Sequence, residues 1–220
     1  MFKQALAICK KDFNSEIRTR YAVNALLMFI IVVISVIKFS LGEDKLSAEM
    51  NSGLLWIIIF FATSNGLSRV FVSEEERGTS LVLKLSSAAG AVFLGKLIFN
   101  TILTLIINFL IIFLYIIITG LDIKNLALFS LTIGLGNLGL SAVMTIIAAL
   151  ISKASSKGTL YPVLSFPLLL PLLLAAISAT TLTIEGAPMG AIAGELQMIA
   201  SYTIVVITAS FLLFELVWHD

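Results

Sequence analysis

Charge is what this sequence has least of. Only 12% of its 220 residues are Asp, Glu, Lys or Arg, against 59% hydrophobic. A soluble domain of that size could not bury so much apolar surface in one core. Histidine occurs once, as His219, and cysteine once, as Cys9. A single cysteine excludes an intramolecular disulfide and a cysteine metal cluster, and a single histidine excludes bis-histidine haem ligation. The net charge of +1 comes without a basic patch interleaved with aromatics, so nucleic acid is not an expected partner. No nucleophile elbow is present, and no apolar run holds a pair of carboxylates. That leaves neither hydrolytic chemistry nor an intramembrane proton or ion relay with residues to perform it. The chain is read as non-catalytic and without a bound cofactor or metal of its own.

What is there in quantity is uninterrupted apolar sequence. Residues 21–37, 50–68, 97–121, 125–152, 158–184 and 196–214 carry no Asp, Glu, Lys or Arg. A bilayer core roughly 30 Å thick is crossed by about 20 apolar residues as helix. Only helices and closed barrels satisfy every backbone group in lipid, and stretches such as Ile102 to Ile118 lack the alternation of a barrel strand. The fold class predicted is an all-α membrane protein with six transmembrane helices over 21–220. The first run is short, and Lys38 at its end can snorkel to the headgroups. No cleaved signal peptide is expected, because about twenty polar, amphipathic residues precede the first run.

The Lys and Arg residues set an orientation. With the N-terminus inside, the inner segments hold Lys3, Lys10, Lys11, Arg18, Arg20, Arg69, Arg77, Lys84, Lys96, Lys153 and Lys157. The outer side holds Lys38, Lys45 and Lys124, a bias of 11 to 3. Both termini are therefore expected in the cytoplasm, and the protein in the plasma (inner) membrane. Trp56, Tyr115 and Tyr202 then fall near the outer interface, and Tyr21, Tyr161 and Trp218 near the inner one, as an aromatic belt.

Residues 1–20 read as a separate amphipathic interfacial helix. Phe2, Leu6, Cys9, Phe13 and Ile17 recur at steps of three and four, with Lys3, Lys10, Lys11, Glu16, Arg18 and Arg20 around the rest. Such a helix lies in the headgroup plane, where it anchors the chain or also touches a cytoplasmic partner. The longest inner connection, 73–90, begins with Ser73 and Glu76 in capping-box spacing. Glu74, Glu75 and Glu76 suit the positive end of a helix dipole, and Gly78 can end that short helix. The bland reading of this loop is a solvated charged turn. Gly134, Gly136 and Gly139 in the fourth run predict close helix packing, and Pro162, Pro167 and Pro171 in the fifth predict a kinked or broken helix. Gly186, Gly190 and Gly194 mark a short helix or re-entrant turn outside.

Two glycine motifs mimic nucleotide sites. Gly90 to Leu97 matches a P-loop until its last position, where Leu97 replaces the magnesium-binding Ser or Thr. Gly134-Leu-Gly136-Asn-Leu-Gly139 matches the dinucleotide fingerprint but lies inside a charge-free run with no strand before it. Both are read as helix-packing sequence.

The order and spacing of several residues resemble the haem exporter protein B (CcmB) family of cytochrome c maturation, within the ABC-2-type permeases. They are Gly53-Leu-Leu-Trp56, Arg69-Val-Phe71 with the acidic residues after it, Gly78-Thr79, Gly95-Lys96, Gly139-Leu-Ser141, Lys153 to Lys157, and Pro167-Leu-Leu-Leu-Pro171. Two features depart from the family pattern: Ser80 and Leu81 stand where a glutamate is usual, and Ile37 to Gly42 lacks a proline. The resemblance implies an ABC-2 permease fold and a membrane subunit paired with a separate ABC ATPase subunit, which binds the ATP. It also implies a haem-handling membrane subunit as partner, with haem handled by the wider complex and hydrolysis releasing a haem-loaded chaperone. A second copy of this chain is a further expected partner. The alternative is an ABC-2 exporter permease for a lipid, glycan or drug, and a purely structural scaffold is a third reading. Coupling to the ATPase is expected at Glu74, Glu75, Glu76, Arg77, Gly78 and Thr79.

Overall fold

The computed structural model describes residues 1–18, 20–42, 46–67, 80–152 and 160–219. Those residues form α1 (Phe2–Arg18), α2 (Arg20–Leu41), α3 (Ala48–Leu67), α4 (Ser80–Ser86), α5 (Ala89–Thr119), α6 (Leu126–Ser152), α7 (Leu160–Glu185) and α8 (Met189–His219). There is no strand among the described residues. Five helices, α3, α5, α6, α7 and α8, are each long and apolar enough to cross a membrane. Six such helices are expected from the sequence. The remaining one coincides with α2, which is 22 residues long and whose described apolar part is Leu26–Ser40.

Helix α6 sits at the centre, packed against α8, α7, α5 and α3. Its buried face holds small residues, among them Gly136, Gly139, Ser141, Ala142, Ala148 and Ala149, so neighbouring helices approach closely. Helices α5 and α8 lie at the periphery and turn Ile102, Ile106, Phe109, Phe113 and Ile204, Val205, Leu212, Leu216 outward. In water such faces would be unfavourable; against lipid tails they are the favourable surface. Helix α2 packs on α3 and α5 through Ile30 and Ile34, which are fully buried.

Glycine sets the turns at one end of the bundle. Gly120 takes a left-handed φ of 70° and donates its N–H to the Ile116 carbonyl, which closes α5. Gly186, at φ 83°, donates to Thr183 while Ala187 donates to Leu182, a Schellman arrangement that closes α7. Pro188 follows and α8 begins at Met189. The expected re-entrant feature is thus a tight turn, and Gly190 and Gly194 belong to the first turns of α8, with open space where a Cβ would be. Asn125 caps α6, its Oδ1 accepting the Leu128 N–H at 3.2 Å, and its own N–H reaches the Thr183 carbonyl at 3.1 Å.

Two expectations change here. Helix α7 is not broken: it runs continuously from Leu160 to Glu185 through Pro167 and Pro171. Each proline removes the N–H owed to the carbonyl four residues back, and the Tyr202 hydroxyl of α8 donates to the Leu168 carbonyl in that weakened turn. The belt also changes. Trp56, Tyr115 and Tyr161 are completely buried in the bundle rather than facing the interface. Each has a buried acceptor for its polar tip: Thr180 Oγ1 at 2.9 Å, Asn51 Oδ1 at 3.1 Å and the Met144 carbonyl at 2.9 Å.

Candidate functional site

The end of the bundle that carries α1 and α4 holds the described charges most tightly engaged by neighbours. Helix α1 packs along the first turns of α5. The face it presents is Ala5, Ile8 and Asp12, all buried, at helical steps of three and four. Phe2, Leu6 and Phe13 of the expected apolar face are exposed, and Cys9 is half-buried. The two stripes lie roughly a quarter-turn apart on the helix. One is used against α5, and the other remains free with Lys3 and Lys10 beside it.

Contact with α5 is close because Gly95 has no side chain. A Cβ there would lie 2.7 Å from the Ala5 carbonyl oxygen and 2.9 Å from Ile8 Cβ. The next residue, Lys96, is 1% exposed, and its Nζ lies 3.1 Å from Asp12 Oδ2. Asp12 Oδ1 faces Lys11 Nζ at 3.2 Å. Burial, and after it the Asp12 carboxylate, raises the Cys9 thiol above its ordinary pKa, and the same causes in the same order raise the Glu16 carboxyl. Residues 90–97 are therefore helical and spent on packing. A phosphate-cradling loop needs its backbone N–H groups free, and a helix interior engages them.

From Lys96 a polar stripe continues along α5 through Asn100, Thr104 and Asn108, all buried. It meets Thr145, Ser141 and Asn137 of α6 in antiparallel register. Asn100 Nδ2 donates to Thr145 Oγ1 at 2.8 Å, and Thr104 and Ser141 hydroxyls lie 2.8 Å apart. Asn108 Nδ2 donates to Asn137 Oδ1 at 2.9 Å, while Asn137 Nδ2 donates to the Thr101 carbonyl at 3.2 Å. Side-chain amides and hydroxyls in an apolar bundle have no water to fall back on, so such bonds fix helix register. Of these residues the sequence marks Lys96 and Ser141 within the family resemblance, and it does not single out Asn100, Thr104, Asn108 or Thr145. Their signal was present all the same: two runs of uncharged polar residues, each spaced by four, in two apolar helices.

Helix α4 joins the same end through aromatics. Lys84 Nζ stands 5.7 Å above the Trp218 ring, which stacks on Phe214. Phe214 and Phe211 pack on Phe93 of α5, and Phe211 occupies the space beside Gly90. Leu83 packs against the same core.

The expected coupling residues Glu74, Glu75, Glu76, Arg77, Gly78 and Thr79 lie outside the described residues; they connect α3 to α4. Ser73, Lys153 and Lys157 lie outside them too. Of the three α6 glycines, Gly136 would place a Cβ 2.4 Å from the Trp56 ring, and Gly139 one 2.6 Å from Thr203 Oγ1. Gly134 has nothing within 4 Å. All three are helical, so the fingerprint-like run forms no nucleotide loop. Pro162 lies in the first turn of α7, and Pro167 and Pro171 are exposed on its outer side.

A wholly helical bundle of several spanning-length apolar helices, pinned by buried amides and with an amphipathic helix against one end, is a multi-pass membrane protein. The chain belongs to the CcmB protein family, whose model matches residues 3–214. It is 28% identical over 199 residues to Heme exporter protein B of Rhodobacter capsulatus, covering 90% of each chain. It is 27% identical over 184 residues to Heme exporter protein B of Pseudomonas aeruginosa, covering 83% of this chain and 81% of that one.

Proposed function

We propose that this chain is the membrane subunit of an ABC-type complex for cytochrome c biogenesis. The observation that carries the proposal is membership of the CcmB family over nearly the whole chain, with relatives named as haem exporters. The subunit hydrolyses no ATP itself. It pairs with an ABC ATPase subunit and with a haem-handling membrane subunit, and it converts the ATPase cycle into haem delivery or release of a haem-loaded chaperone. Haem and ATP are held elsewhere in the complex. We further propose an ABC-2 permease architecture with α2 as the sixth span and both termini in the cytoplasm, supported by the 11-to-3 distribution of Lys and Arg.

Coupling is assigned to Glu74, Glu75, Glu76, Arg77, Gly78 and Thr79. A closing ATPase dimer can do work on the membrane subunit only through a cytoplasmic feature that it grips. This acidic loop is followed by α4, whose Lys84 and Leu83 tie it to α8 and the core. In the native host, deleting the gene should abolish covalent haem attachment to c-type cytochromes, and the tagged chain should co-purify with an ABC ATPase. Normal cytochromes with a lost lipid, glycan or drug export would assign the chain to an exporter instead.

A further inference from the structure

Three independent features meet where α1 crosses α5. Gly95 allows the Ala5 backbone to approach to within 2.7 Å of where a Cβ would stand. Ala5, Ile8 and Asp12 turn one buried face of α1 to that contact. Lys96 and Asp12 bring opposite charges to 3.1 Å, at 1% and 8% exposure. Glycine makes the two helices close but does not fix how they slide or roll. A buried ion pair gives back little of its desolvation cost as stability, and its best-attested use is to specify one register. Two apolar residues would hold the helices as firmly and in less defined positions.

We propose that Asp12 and Lys96 are positioning residues that latch the N-terminal helix to the start of α5, so that the two move as one body during the ATPase cycle. The first half of this stands on the geometry. The second half rests on the proposed function, since that reading supplies the ATPase. The latch lies at the same end of the bundle as α4 and Trp218, and Met1 Sδ would come within 3.7 Å of a Cβ on Gly90, beside Phe211. Motion entering through α4 therefore meets α5, α8 and the latched helix together. With the latch intact, α1 cannot be left behind in the headgroup plane when α5 shifts.

Cys9, the chain's one cysteine, reports on the latch. It is half-buried one turn before Asp12. Maleimide labelling of Cys9 is followed by mass spectrometry of this subunit, in membranes holding the whole complex at fixed pH. In Lys96→Met the Asp12 carboxylate, left with Lys11 alone, would by charge alone slow labelling, because it disfavours the thiolate. Release of α1 would instead speed it. The expected result is labelling faster by about tenfold or more, with cytochrome c produced per ATP hydrolysed falling several-fold. The reciprocal exchange D12K/K96D should return both toward wild type. Labelling no faster in a Lys96→Met chain present at wild-type level overturns the latch. Faster labelling with unchanged yield per ATP overturns the joint motion while leaving the loop assignment standing. Should Lys96→Met fail to accumulate, the exchange decides: recovery of abundance and slow labelling upholds the pairing, and a persistent defect overturns it. The labelling arm needs no cytochrome readout, so it stands whether or not the functional reading does.

Discussion

Asn108 and Asn137 face each other at 2.9 Å in a bundle where neither can turn to water. Replacing Asn137 with leucine takes the acceptor from Asn108, and replacing Asn108 takes the donor from Asn137 Oδ1. Such a loss typically costs about 1–2 kcal/mol in membrane helices and more where a buried group is left wholly unpaired. Asn137→Leu should cost more than Asn108→Leu, because Asn137 also reaches the Thr101 carbonyl. The double variant should be less destabilised than the sum of the two, by about 0.5–1.5 kcal/mol of coupling. Denaturant titration in mixed micelles measures the cycle; additive losses would mean that the amides do not act as a pair. This seam was legible in the sequence as polar residues four apart, yet hydropathy reads straight through asparagine and threonine. What it could not supply was the partner: that 100 meets 145 and 108 meets 137 is a consequence of helix register. Asp12 and Lys96 are a stronger case. Nothing in the sequence pairs Asp12 with Lys96, 84 positions further on.

At the scale of elements, apolar run length predicted the helices well, because lipid leaves the backbone no alternative. The third charge-free run is 97–121, and α5 ends within it at Thr119, where Gly120 supplies the left-handed turn. The faces of helices were harder to read. Periodicity found the Phe2, Leu6, Phe13 stripe of α1, whereas the face packed on α5 contains an aspartate and so scores as polar. Prolines predicted a kinked or broken α7, and the helix is unbroken; the sequence does not show that a tyrosine from α8 engages a carbonyl beside them. Glycine shows the same dependence on neighbours. Gly136 lies under Trp56, whose ring would sit 2.4 Å from a new Cβ, while Gly134 faces open space. Gly136→Val should therefore cost about 1–3 kcal/mol or force Trp56 off Thr180, whereas Gly134→Ala should be near neutral. Tryptophan fluorescence with thermal melting in detergent would separate them, and equal effects at the two sites would contradict the packing described.

For the whole molecule, the distribution of Lys and Arg and the arrangement of the bundle lead to separate claims. The proposed orientation rests on charge bias: a reporter fused after Val217 should read cytoplasmic, and one placed between Gly186 and Met189 should read periplasmic. The reverse pattern would invert the assignment of every loop. The bundle, in turn, gathers the Asp12–Lys96 pair, Lys84, the N-terminal helix and the start of α4 at one end, where the proposed function has the ATPase push. The acidic loop is proposed to receive that push. Truncating a charge that is paired and partly buried at an interface costs about 2–5 kcal/mol, whereas a rim charge costs little. The direct measurement is co-purification of the ATPase, and cytochrome c yield per ATP hydrolysed, with Glu74, Glu75 and Glu76 all changed to lysine. The same change at Glu43, Asp44 and Glu49 serves as the control. The first variant should insert normally but lose the ATPase or hydrolyse without product, and the control should do neither. Full ATPase binding and normal cytochrome c yield in the first variant would contradict it.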